Sequence, residues 1–90
     1  MYNFRISENL QHIIEKLGKK DKSLHERVLS KMNEVINSSD IEHYKNLKYN
    51  LKDSKRVHVG HFVLVFQFNN NLNEILFDDF DHHDNIYNRK

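Results

Sequence analysis

The sequence predicts an α+β domain in the order β-α-α-β-β-β, with a helix hairpin covering one face of an antiparallel-rich sheet. Two stretches in the first half, around Leu10–Leu17 and Leu24–Ile36, repeat apolar residues at helical spacing. The second half changes to runs in which alternate residues are apolar. Between two such runs stands Gly60-His61, a two-residue connection that suits a type II′ hairpin turn. Helices followed by antiparallel strands pack as a layer on one sheet face.

The elements follow in order. Met1–Ile6 alternates Tyr2, Phe4 and Ile6 with polar residues and reads as a short strand. Ser7 caps a first helix over residues 8 to 17, carried by Leu10, Ile13, Ile14 and Leu17, and Gly18 is expected to stop it. Ser23-Leu24-His25-Glu26 fits a capping box for a second helix with Leu24, Val28, Met32, Val35 and Ile36 on one stripe. That helix is expected to end near Asn37, before Ser38-Ser39-Asp40. Ile41–Lys55 is polar and basic, with Leu47 and Leu51 as possible anchors, and reads as a structured loop. The hairpin Arg56–Phe68 pairs Val59 with Phe62 and Val57 with Leu64. Val57, Val59, Phe62, Leu64, Phe66 and Phe68 then share the core face. Arg56, His58, Val63, Val65 and Gln67 share the other. Asn69-Asn70-Asn71 is a turn, and Leu72–Phe80 is the last strand, with Ile75, Leu76 and Phe77 buried. Asp81–Tyr87 closes the chain before a frayed Asn88-Arg89-Lys90.

Ninety residues make one small domain with a thin core, since 38% of them are hydrophobic and 30% charged. There is no Cys, so neither disulfides nor thiolate metal sites are expected. Met1–Leu10 lacks the basic start and long apolar run expected of a signal peptide, and the longest apolar stretch, Phe62–Phe66, is too short for a membrane span. A cytoplasmic protein is the simplest reading. The net charge of +1 predicts no nucleic-acid binding by itself, but its distribution is uneven. Lys45, Lys48, Lys52, Lys55 and Arg56 face a single Asp53, whereas Asp78, Asp79, Asp81 and Asp84 form an acidic run with no cation.

The basic loop before Arg56-Val-His-Val-Gly60, and the ending Asp81-His82-His83-Asp84-Asn85-Ile86-Tyr87, give the chain a resemblance to the RelE/ParE superfamily of toxin–antitoxin toxins. The likeness covers nearly the whole chain and rests on order, spacing and length together. It implies a toxin that cleaves mRNA on the ribosome, without a metal, using the RNA 2′-OH as nucleophile. It also implies a neighbouring antitoxin protein as partner. Carried over by position, Arg56 matches the first arginine of the family's hairpin, while His58 and Val63 stand where a second and a third are usual. The superfamily also contains gyrase-directed toxins, and this second reading, or an inactive binding protein of the same fold, stays open.

The residues themselves fit RNA cleavage. Attack by a 2′-OH needs a base, a cation for the charged phosphorane, and an acid for the departing 5′ oxygen. Arg56 is the candidate clamp, because its fork matches phosphate oxygens. His83 is the candidate acid or base and His58 the second, as histidine titrates near ~6.5. Tyr87 would stack on a base or position a proton. Lys45, Lys48, Lys52 and Lys55 would hold the RNA backbone. Each also has a plainer reading: a solvated sheet face for Arg56 and His58, a solvated loop for the lysines, a core-edge anchor for Tyr87. A metal site in the acidic run is disfavoured. If the last strand runs on, His82 and His83 point to opposite faces, and Asp81 with His83 supplies too few ligands. Asp81 or Asp84 is better placed to orient His83.

Overall fold

The computed structural model describes residues 1–45 and 54–88. Strand β1 (Asn3–Ile6) leads into helices α1 (Glu8–Lys20) and α2 (Lys22–Ile36), and a single 3₁₀ turn spans Ile41–His43. Strands β2 (Lys55–Val59), β3 (Phe62–Asn69) and β4 (Glu74–His82) follow, and a short helix α3 (His83–Asn88) comes last. The sheet order is β1-β4-β3-β2, with β1 parallel to β4 and the other pairs antiparallel. The expected β-α-α-β-β-β order is therefore the observed one, with α3 added. Leu47, Leu51, Lys48 and Lys52 lie outside the described residues, as do Arg89 and Lys90.

Ser7 caps α1 and ties it to the sheet. Its Oγ accepts from Leu10 N–H at 3.1 Å and donates to the Asp78 carbonyl at 2.7 Å. Gly18 does not stop the helix: α1 runs through it to Lys20. Its missing Cβ leaves room for the His25 ring, whose Nε2 would lie 3.4 Å from a methyl there. Nor does Ser23 cap α2. Asp21 ends α1 and caps α2 together, its carboxylate accepting from Leu24 N–H at 3.1 Å. One residue thus replaces the glycine stop and the capping box with a tighter corner, its backbone N–H donating to the Leu17 carbonyl and its carboxylate capping α2.

The helix pair lies on one sheet face. Leu10, Val28, Val35, Leu64, Phe66, Ile75 and Phe77 are sealed in a single core. Burial of Phe66 and Phe77 contributes about 2–3 kcal/mol each. The hairpin register matches the expectation, with Val59 opposite Phe62 and Val57 opposite Leu64, and Gly60 has φ +61°.

Strand β4 departs from simple alternation. Val65 pairs with Asp79 but Phe66 with Phe77, so Asp78 is an extra, bulged residue. Ile75 and Phe77 before the bulge, and Phe80 after it, all reach the core. Leu76, expected to be buried, faces the opposite side and is only half-buried, opposite Gln67. Leu72 is 60% exposed in the preceding turn, where Asn73 holds φ +51° and Asn69 Oδ1 accepts from the N–H groups of Asn71 and Leu72.

Candidate functional site

The bulge and the hairpin register together compose the sheet face away from the helices. Across β2, β3 and β4, Arg56 stands opposite Val65 and Val65 opposite Asp79. One row on, His58 stands opposite Val63 and Val63 opposite Asp81. Each row runs basic, apolar, acidic. The basic pair is thus held from the acids by two strand spacings, about 10 Å.

The valine strip is the seat of α3. Val63 is fully buried and Val65 nearly so, packed with Ile86 and half-buried Tyr87 in a second small core. Val63 is therefore covered by the helix that closes the described chain. The helix is pinned at its start, where His83 N–H donates to the His61 carbonyl at 2.8 Å. The strand runs beyond the expected Phe80 to His82 and there turns into helix, so His82 and His83 do not alternate along one strand.

This turn delivers His83 to β2. The His58 and His83 rings stack with centroids 5.7 Å apart, and Tyr87 lies against the other histidine partner, its ring 4.6 Å from that of His83. Arg56 Nη1 lies 2.9 Å from His58 Nε2. A guanidinium only donates, so His58 Nε2 is the acceptor and the ring is neutral, with its proton on Nδ1. Its acidity agrees: burial, then the Arg56 charge, then His83, push the His58 pKa below its usual 6.5. Arg56 Nε and the Tyr87 hydroxyl are buried with no hydrogen-bond partner among the described residues. Buried donors left unpaired carry a cost that a polar ligand would relieve. All four candidates for chemistry, Arg56, His58, His83 and Tyr87, thus meet in one place.

The surrounding residues divide. Lys45 is exposed, and its carbonyl accepts from Arg56 N–H at 2.9 Å. Lys55 points to the core side instead. It is 8% exposed, and its Nζ pairs with Glu42 at 3.0 Å and donates to the Tyr44 carbonyl at 3.3 Å. Asp84, not Asp81, approaches His83, with Oδ1 at 3.5 Å from Nδ1. Asp81 accepts from Asn85 Nδ2 at 3.1 Å and from His82 N–H at 2.7 Å. Asp78, at the bulge, is pushed above its usual carboxyl range by burial and then by Asp79. His61 and His82 form a second ring pair at 6.3 Å. Among the described residues no three His, Asp or Glu side chains are grouped to hold a metal ion.

Comparison with known proteins gives this arrangement a family. A Methanocaldococcus jannaschii protein, provisionally named toxin RelE4, is 46% identical over 91 aligned positions, which span all of this chain and 95% of that one. Two solved structures share the fold. The isolated Escherichia coli RelE toxin superposes with a TM-score of 0.67 at 19% identity, over 91% of this chain and 84% of its own. The RelBE2 toxin–antitoxin complex of Mycobacterium tuberculosis matches with a TM-score of 0.61 at 16% identity, over 91% and 98%. No family model matches the sequence. The chain belongs to the RelE family of toxins.

Proposed function

We propose that this toxin is a ribosome-dependent mRNA endonuclease that inhibits translation and is silenced by a cognate antitoxin protein. The convergence of Arg56, His58, His83 and Tyr87 on one sheet face carries this reading. The 2′-OH attacks the adjacent phosphorus as the bond to the 5′ oxygen breaks. This leaves a 2′,3′-cyclic phosphate and a free 5′-hydroxyl, and needs no metal. His58, held neutral, takes the 2′-OH proton, and His83 returns a proton to the departing oxygen. The Arg56 fork stabilises the charge that grows on the phosphorane. In the free protein Arg56 occupies the lone pair that His58 needs as a base. An incoming phosphate attracts the guanidinium and frees Nε2, so substrate binding arms the base. Lys45, together with Lys48 and Lys52, is assigned to the RNA backbone. No described helix is long and apolar enough to cross a membrane, and the reading places the protein with ribosomes in the cytoplasm.

Expression of the chain alone tests the site. Wild type is expected to arrest growth, and Arg56→Ala or His83→Ala to abolish the arrest at equal protein level. Full toxicity in both variants removes the assignment. One observation favours the gyrase-directed alternative: Val63 is fully buried, so the hairpin presents fewer cations than the family pattern supplies. Stalled DNA synthesis without RNA cuts would select that reading.

A further inference from the structure

The sequence marks no role for Arg27, yet the fold brings it to the edge of the site. Strand β2 is the outer strand of the sheet, and α2 runs beside it. Between them lies an open groove of about 650 Å³, lined by Glu26, Arg27, Lys31 and Glu34 from α2 and by His58 and Gly60 from the hairpin. The guanidinium of Arg27 rests over Gly60, where a methyl group would come within 3.0 Å of Nη2. The residue that makes the hairpin turn thereby also makes room for this cation.

The charges of the groove are not equivalent. Lys31 Nζ pairs with Glu34 at 3.2 Å. Arg27 makes no hydrogen bond or ion pair with any described residue, although Glu26 precedes it in the chain. It is the groove's uncommitted cation, and His58 is shared between this groove and the catalytic face. On the hairpin itself, Val63 is buried under α3 and offers no cation. We infer that Arg27 binds a phosphodiester of the RNA substrate at the β2 edge, so that the strand passes from the α2 groove across His58 to Arg56. This rests on the nuclease reading given above. Arg27 is a substrate-holding residue there and takes no part in proton transfer.

The test is cleavage of mRNA in a translating extract, titrated with the purified full chain and read by primer extension. Losing one charged phosphate contact should raise the half-maximal concentration of Arg27→Ala about tenfold, with the same plateau of cutting. Arg27→Lys should recover most of this, and Arg27→Glu should lose more than Arg27→Ala. Thermal unfolding of all three should match wild type, because Arg27 is exposed. An unchanged half-maximal concentration for Arg27→Ala, with Arg56→Ala still inactive, overturns the inference and leaves the nuclease reading intact. A lowered melting temperature with unchanged potency gives Arg27 a structural role and overturns it too. A wild-type chain that makes no cuts overturns both.

Discussion

At the scale of single residues, backbone geometry and protonation carry the account. Gly60 holds φ +61°, and a Cβ there would both strain the backbone and press on Arg27. Gly60→Ala should destabilise the protein by about 1–2 kcal/mol, read as a lower urea midpoint at unchanged slope. An unchanged midpoint would remove the requirement for glycine. His58 is the residue whose chemistry depends on pH. Its folded pKa is depressed below 6.5. The unfolded chain therefore takes up the proton first as pH falls, so stability drops from pH ~6.5 downward through the folded value. The exposed ring keeps that effect small. Activity should follow the folded value itself, so the acid limb of the cleavage profile should fall below pH ~6.5. An acid limb above that, or NMR titration of the His58 ring at 6.5 or higher, would contradict its role as the neutral base.

At the scale of elements, α3 and the bulge decide where the chemistry sits. Val63 and Val65 read in sequence as a half-greasy face beside an arginine and a histidine. They are the socket for Ile86 and Tyr87. Ile86→Ala should cost about 2–3 kcal/mol and reduce cutting even though Arg56 and His58 remain, because His83 and Tyr87 ride on the same helix. Stability measured by denaturation and cutting measured well below the transition separate the two losses. Val63→Arg would restore the arginine usual at that position. It should unfold or unseat α3, because the site is fully buried beneath Ile86 and Tyr87 and has no room for a guanidinium and its water. A Val63→Arg variant that folds normally and cuts faster would overturn this view of the valine strip. The α1 cap is expected to matter in the same way. Ser7→Ala should lose about 1 kcal/mol or more, because one hydroxyl both caps α1 and holds the bulge carbonyl.

At the scale of the whole molecule, the legible parts of the fold were those set by local spacing. The hairpin register followed from a two-residue turn opening on Gly, and the helices followed from their stripes. What local spacing leaves open lies in contacts between distant segments. The Asp78 bulge carries no Gly or Pro to announce it, yet it brings Asp79 and Asp81 into register with Val65 and Val63 and keeps Phe80 in the core. Asp21 caps a helix that Ser23 and Glu26 equally suggested, because the corner is tighter than two independent ends require. The pairing of His58 with His83 was expected from two candidates for one reaction, but its geometry comes from a strand that runs past the expected Phe80 to His82 and then turns into α3. Lys55 shows the reverse case. A basic run in sequence splits between faces once it enters β2, and Lys55 goes inward to Glu42.

The central claim is that Arg56, His58 and His83 form one phosphate-cleaving centre. Primer extension on mRNA from a translating extract tests it most directly, with the wild-type chain beside Arg56→Ala and His83→Ala. Discrete, codon-phased cuts are expected with wild type and none with either variant, although both fold. The same cuts from the variants, or none from wild type under translation, would contradict it.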